Sequence, residues 1–276
     1  MKKILVPTDF SDTAEHALKV AANLARKFNS EIYLLHMLEL PLQLIDPVSG
    51  SNDQNLPESI FFMKLAHQRF GNLMKEPFLK DIKIHETVLF HQAFEGIIEV
   101  SEQYDCDIII MGSHGASGFK EMFIGSNTEK VVRSAKIPVL VIKGKQEDFD
   151  IENFIFATDG EEAYKHTLEI AYDFSKMIAA KFHLLFINTP NKFLTSDEVR
   201  KRMDNFIANT KVEDYDLHIC NDTNIERGIL NFASKKDRSL IGISTHGRKG
   251  LAHFFNGSIS EDLVHHAQMP LVTFKI

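Results

Sequence analysis

Two glycine-rich segments carry the residues whose types and spacing suit binding chemistry. In the first, Gly112 and Gly115 follow the apolar run 108–110, and Gly125-Ser126 stand before a helical pattern. In the second, Gly247 and Gly257-Ser258 recur, and Ser244 takes the place of the leading glycine. A strand that feeds a glycine-rich turn and then a helix builds a cradle for phosphate. Glycines let backbone N–H groups approach an anion closely, and the helix N-terminus adds unpaired donors and the positive end of its dipole.

The elements that must position these segments are themselves repeated. Residues 95–143 match 227–275 at a shift of 132, so that Gly96 falls on Gly228, Ile97 on Ile229, Ser113-His114 on Thr245-His246 and Pro138 on Pro270. Near the start of each half the shift is 150: Thr8-Asp9 falls on Thr158-Asp159, Leu18 on Leu168 and Leu34-Leu35 on Leu184-Leu185. The first half therefore holds about 18 more residues in its middle, where 41–58 reads as a loop. The 276 residues divide into two domains of ordinary size, 1–145 and 146–276, joined near the polar stretch GKQEDFD.

Composition narrows the function classes. With 44% hydrophobic residues, 25% charged residues and a net charge of −7, the chain has the balance of a globular protein. The acidic excess argues against a broad nucleic-acid surface, which needs clustered Lys and Arg. The opening MKKILVPTDF offers a three-residue apolar run before Pro7, too short for a signal peptide. No run approaches the roughly 18 apolar residues of a membrane span. Cys106 and Cys220 sit at unmatched positions of the repeat, which fits a reducing cytoplasm. Among thirteen histidines, neither His246 with His253 nor His265-His266 has metal-ligand spacing, and no metal site is expected.

Periodicity supplies the scaffold. Residues 3–6 read as a short buried strand, and Ala14, Ala17, Leu18, Ala21, Ala25 and Phe28 recur at helical spacing. Ser11 or Asp12 is available as the cap of that helix, and Glu15 suits a capping box. Strand 32–36, helix 60–78, strand 84–89, helix 94–104, strand 107–111, helix 128–134 and strand 139–142 follow, and the second half repeats the order. The alternation implies an α/β fold of two tandem Rossmann-like domains, each a five-stranded, mostly parallel sheet flanked by helices. Such sheets bind ligands outside the carboxyl ends of their strands, at the topological switch point, where Asp9, Met37 and the Gly112 loop would converge.

The VPTDFS opening, the LLH strand, IIIMGSHG, the spacing G-x2-G-x9-G-S and the closing IPVLVIK together resemble the universal stress protein family. The resemblance covers nearly the whole chain as two tandem domains. It implies the adenine nucleotide α-hydrolase-like fold and, for the branch with the glycine motif, binding of ATP or another adenine nucleotide; whether Mg or Mn accompanies the nucleotide is left open by the sequence. It assigns Asp9, beside Pro7 and Thr8, to the adenine and ribose end, and Met37 to the border of the base. Met111, Gly112, His114 and Gly115 would line ribose and phosphates, and Gly125, Ser126, Asn127 and Thr128 would cradle the phosphates. Taken singly, each position also fits a local duty: Asp9 as a helix cap, His114 in a turn, Ser126 to Thr128 as the cap of the fourth helix. As a set they favour the nucleotide.

The matched positions of the second half are Ala157, Thr158, Asp159, Ile187, Ser244, His246, Gly247, Gly257, Ser258, Ile259 and Ser260. Ala157 replaces Pro7, Ile243 replaces Met111, and Ser244 replaces Gly112. Serine brings strain there if the position needs φ > 0, so a competent first site and a weaker second one are expected. In the resembling family the fifth strand commonly pairs with its counterpart from another domain. That implies pairing of 138–143 with 270–276 as an internal pseudo-dimer, with a further homodimer left open. Three readings of function follow. The first is a cytoplasmic stress-response protein that binds an adenine nucleotide and sets its conformation or partner affinity by occupancy. The second is a slow metal-dependent nucleotide hydrolase, for which the sequence supplies no evident base or nucleophile. The third is a nucleotide-free dimerising interaction protein. No nucleic-acid or membrane partner is expected.

Overall fold

Long buried runs such as 108–111, with no polar alternation, belong to strands covered on both faces, and these strands form the centre of the structure. The computed structural model describes residues 1–38, 52–90, 92–113, 125–144, 149–245 and 269–276, with the backbone alone at 52–58. These residues form two compact units, one drawn from 1–113, 125–131 and Phe149, the other from 132–144, 150–245 and 269–276.

The first unit contains β1 (Lys3–Pro7), α1 (Asp12–Phe28), β2 (Glu31–Leu38), α2 (Asn52–Leu73), β3 (Ile84–Phe90), α3 (Ala93–Gln103), β4 (Ile108–Gly112) and the start of α4 (Ser126–Ser134). Its strands lie in the order β3-β2-β1-β4, all parallel. Helix α1 buries Ala14, Ala17, Leu18, Ala21 and Ala25, and small residues on this face let the helix sit close to the sheet. The Ser11 hydroxyl accepts from Ala14 N–H at 3.3 Å. Glu15 lies one position beyond the capping-box site and pairs with Lys19 at 2.6 Å instead. Helix α2 begins at Asn52, inside the stretch expected as loop, because its polar first turns carry no apolar stripe for periodicity to detect. It ends at Leu73, earlier than expected, and Pro77, which has no N–H to continue a helix, opens a separate 3₁₀ turn.

The second unit contains β5 (Val139–Ile142), β6 (Asn153–Ala157), α5 (Lys165–Ile178), β7 (Lys181–Asn188), α6 (Ser196–Ile207), β8 (Asp216–Asn221), α7 (Ile225–Ala233), β9 (Ser239–Thr245) and β10 (Leu271–Lys275). The strand order is β5-β10-β9-β6-β7-β8. Strand β5 pairs antiparallel with β10, setting Leu271 against Val141 and Thr273 against Val139; the other pairs are parallel. The last strand of the first repeat thus completes the sheet of the second unit, as the pairing of 138–143 with 270–276 requires.

The two cores are filled differently. Phe154, Phe156, Phe182 and Phe274 are buried together, with Phe154 and Phe182 stacked at 5.6 Å between ring centroids. The repeat places Ile4, Val6, Ile32 and Ile142 at the matching positions of the first half. Larger rings need space elsewhere, and Gly242 supplies it: a Cβ there would lie 2.6 Å from Phe154 Cζ. The match of Gly242 in the first half is Ile110, fully buried. No helix among the described residues is long and apolar enough to cross a membrane.

Candidate functional site

In the second unit β6 lies between β7 and β9, so the chain leaves it first to one side and later returns to the other. This is the switch point of an open α/β sheet, where two connections diverge and leave a crevice. A cleft of about 140 Å³, open to solvent, lies there. Ala157, Thr158 and Asp159 line it from the end of β6, Leu185 and Ile187 from β7, and Ile243 and Ser244 from β9. Tyr164 closes one side, and Ile225 and Ile229 of α7 the other. Gly228 lets α7 approach this wall, since a Cβ at that position would meet Ile187 Cγ2 at 2.7 Å.

The lining combines an apolar floor with a few polar groups. Thr158 Oγ1 accepts from Gly160 N–H at 3.1 Å, and Asp159 Oδ1 from Glu161 N–H at 3.2 Å, so the turn after β6 is held by its own side chains. Gly160 takes φ +73°, the left-handed region that suits glycine. Asp159 remains exposed at the rim. The Ser244 proton can be assigned from its neighbours. Thr167 Oγ1 donates to Tyr164 O at 2.8 Å, so at 2.6 Å it receives the hydrogen of Ser244 Oγ. Ser244 therefore keeps its acceptor lone pairs for a ligand. Burial, followed by the charges of Asp159 and Glu161, pushes the Tyr164 phenol above its ordinary pKa, so the ring enters the cleft as a neutral hydroxyl. An apolar slot with one aromatic ring, one carboxylate and three hydroxyls suits a flat heterocycle with polar edges.

The first unit builds the corresponding turns from different contacts. Asp9 Oδ1 accepts from Ser11 N–H at 3.0 Å and from Ser11 Oγ–H at 2.5 Å. Phe10 takes φ +62° at the position matched by Gly160, and its ring packs 4.6 Å from His36 and 5.1 Å from Phe70. His36 Nδ1 donates to Thr8 O at 2.7 Å. Burial is the larger influence on His36 and lowers its pKa, with the Thr8 bond opposing. Thr128 donates to Gly112 O at 3.0 Å and Gly125 N–H to Ser113 O at 2.7 Å, which ties the start of α4 to the end of β4. The Thr128 hydroxyl proton is committed to that tie.

The serine-for-glycine exchange has a different cause from the expected backbone strain. Gly112 does not have a positive φ. Its constraint is proximity: a Cβ there would lie 2.8 Å from Thr13 O, because α1 starts at Asp12 directly against the end of β4. In the second unit a 3₁₀ turn (Glu162–Tyr164) comes first and α5 begins only at Lys165. Ser244 bonds Thr167 there, where the first unit has Gly112 and buried Ala17.

Of the sequence-derived positions, Ala157, Thr158, Asp159, Ile187 and Ser244 meet in the cleft. Pro7, Thr8 and Asp9 follow one another through the end of β1 and the turn beyond it, Met37 lies near the end of β2, and Met111 and Gly112 close β4. Gly125 precedes α4, and Ser126, Asn127 and Thr128 form its first turn. His114, Gly115, His246, Gly247, Gly257, Ser258, Ile259 and Ser260 lie outside the described residues. Tyr164, Leu185, Ile225 and Ile229 were not singled out by the motif. The repeat held a signal for Leu185 and Ile229, which fall on Leu35 and Ile97 at the same shifts, but not for Tyr164 and Ile225, which fall on Ala14 and Ala93.

Comparison with known proteins agrees with this fold. The model of the universal stress protein family matches residues 1–143 and again 151–275. The universal stress protein MJ0577 of Methanocaldococcus jannaschii is 35% identical over 159 residues, spanning 52% of this chain and 96% of that protein. The universal stress protein Slr1230 of Synechocystis is 23% identical over 303 residues and spans all of both chains. A solved universal stress protein from Archaeoglobus fulgidus shares the fold over 99% of this chain and 98% of its own, with a TM-score of 0.73 at 21% identity. With a doubled Rossmann-like architecture, a crevice at the switch point and a family match in each half, the chain belongs to the universal stress protein family as a tandem two-domain member.

Proposed function

We propose that this protein binds ATP or another adenine nucleotide and acts as a cytoplasmic stress-response regulator whose conformation or partner affinity depends on occupancy. One observation carries the reading. The cleft at the switch point of the second unit gathers Ala157, Thr158, Asp159, Ile187 and Ser244, five positions chosen from the repeat and the family resemblance. Adenine would lie against Ile187, Leu185 and Tyr164, with Asp159 and Ser244 accepting hydrogen bonds from amine or hydroxyl groups. The glycine segments after β4 and β9 would hold the phosphates through backbone N–H groups. Pro7, Thr8, Asp9, Met37, Met111 and Gly112 would play the matching parts in the first half, with 1–145 and 146–276 as the two nucleotide-binding domains.

The test is mass spectrometry of small molecules released on denaturing the purified full chain, followed by titration with a fluorescent ATP analogue. An adenine nucleotide in the released fraction is expected. In the titration, Ile187→Asp should weaken binding about tenfold or more by placing a charge in the apolar slot. Absence of released nucleotide together with no saturable titration would overturn the proposal.

A further inference from the structure

At the end of the second sheet opposite the cleft, four polar side chains converge on one face. In parallel register His183 of β7 lies beside Asp216 of β8, and His218, two residues on, shares that face. Asn153, at the start of β6, reaches His183 from the other side. His183 is buried, 1% exposed, whereas Asp216 and His218 are half-buried. This leaves the cluster one open side. Phe232 of α7 covers another part of it, with ring centroids 4.7 Å from His218 and 6.4 Å from His183.

The hydrogen bonds fix which nitrogen of His183 is free. Asn153 Nδ2 donates to Asp237 O at 2.7 Å, which turns its Oδ1 toward His183 Nε2 at 2.9 Å. Oδ1 only accepts, so Nε2 carries the hydrogen, and in the neutral ring Nδ1 presents a lone pair. That lone pair faces His218 Nε2 at 3.1 Å and Asp216 Oδ2 at 3.7 Å. The three ligand atoms lie within 4.8 Å of one another. Tetrahedral coordination at zinc bond lengths separates its donor atoms by about 3.3–3.6 Å, between the two measured distances. A histidine whose outer nitrogen is held by a carboxamide is also oriented as metal-bound histidines are.

We propose that His183 Nδ1, His218 Nε2 and Asp216 Oδ2 form a site for a divalent cation of the zinc class, with water in the fourth position. The site ties the edge strand β8 to β7 and is independent of the nucleotide reading. Sequence spacing conceals it because its ligands lie 33 and 35 residues apart on neighbouring strands and converge only through register. The repeat provides an internal control. The position matched to His183 is Tyr33, stacked on His85 at 4.7 Å, while His85 Nε2 meets Glu31 at 2.9 Å. Among the described residues of the first unit, no second histidine joins that contact.

Two cations oppose occupancy. Lys181 Nζ lies 2.7 Å from Asp216 Oδ2, and Lys236 Nζ lies 5.4 Å from the Phe232 ring centroid. The Lys181 side chain is 61% exposed, so its ion pair yields readily to a dication. This gives the site a signature that a plain imidazole–imidazole hydrogen bond lacks: removing Lys181 should tighten metal binding.

The experiment titrates the metal-free full chain with Zn²⁺ by calorimetry and with Co²⁺ by visible absorption, comparing His218→Ala, Asp216→Asn and Lys181→Ala. The parent should bind one equivalent with a four-coordinate Co²⁺ spectrum, and Zn²⁺ should raise its thermal midpoint. His218→Ala and Asp216→Asn should each lose that equivalent or weaken it at least tenfold, and Lys181→Ala should tighten it about threefold or more. Thermal melts of the metal-free variants confirm that they fold, since both changed ligands are half-buried and lie on an edge strand. The proposal is overturned if the parent takes up no Zn²⁺, or if His218→Ala and Asp216→Asn bind it as the parent does.

Discussion

The strands β3-β2-β1-β4 of the first unit and β8-β7-β6-β9 of the second follow one order with two ways of filling it. At the end of β4 the first unit presses α1 against Gly112, leaving no room for a Cβ beside Thr13 O. At the matched point the second unit delays its helix by a 3₁₀ turn, admits Ser244 and opens a cleft beside Tyr164. In the sheet, the first unit packs aliphatic side chains where the second packs phenylalanines around Gly242. Each difference is compensated within a single contact distance. A duplicated fold can therefore diverge at one position only when the neighbour that position touches changes too.

Transplanting one half of such a pair should break the comparison most strongly. Gly242→Ile drives a side chain into the Phe154 ring and should cost about 3 kcal/mol or more in chemical denaturation. Adding Phe154→Ile, which restores the first unit's Ile4–Ile110 combination, should recover at least half of that loss. Simple additivity in the double variant would show that the two positions are not coupled.

Next in size is Gly112→Ser, the reciprocal of the natural exchange. It should destabilise the protein by about 2 kcal/mol, because the obstacle is rigid helix backbone rather than a movable side chain. Ser244→Gly should cost only about 1 kcal/mol, mostly the lost hydrogen bond to Thr167. Equal costs for the two changes would remove the steric explanation of the asymmetry.

Lys143, at the end of β5, gives a pH-dependent test. It is 8% exposed, and burial pushes its pKa down to about 8 from the ordinary 10.5. Below pH 8 both folded and unfolded chains carry the proton, and the folded state bears the full penalty of a buried charge. Between about pH 8 and 10.5 the folded chain has released the proton while the unfolded chain retains it, so stability rises with pH across that window. Lys143→Met should therefore stabilise the protein at pH 7 by on the order of 2 kcal/mol. Its advantage should shrink toward pH 10.5. A constant difference from pH 7 to 10.5 would refute the burial penalty.

The smallest effect concerns the turn after the first strand of each unit. Gly160→Ala, at φ +73° and with a Cβ that would lie 2.9 Å from Met203 Sδ, should cost about 1 kcal/mol for the backbone conformation alone. Phe10 at the matched position meets the same backbone cost but recovers it through contacts with His36 and Phe70. Phe10→Gly should therefore destabilise the protein rather than relieve it, as thermal melts of the two variants would reveal.

Much of the scaffold was legible because its signals are local. The capped alanine face of α1, the buried runs of β1 and β4 and the matched turns at Thr8-Asp9 and Thr158-Asp159 each require only near neighbours in sequence. The polar start of α2 escaped because the apolar stripe appears only from Ile60 onward. Half of the cleft was legible through the repeat, as Thr158, Asp159 and Ser244 demonstrate. Tyr164 was not, since a tyrosine opposite Ala14 looks like surface variation until α5 is seen to begin late.

By itself, the sequence determined the duplication, the order of the described strands and the family, because motif spacing and apolar period are properties of a linear chain. Tertiary structure decided why Gly112 must be glycine and Ser244 need not be, and how His183, Asp216 and His218 meet. Those outcomes depend on where a helix starts relative to a strand end and on the register between strands, distances that no linear spacing encodes.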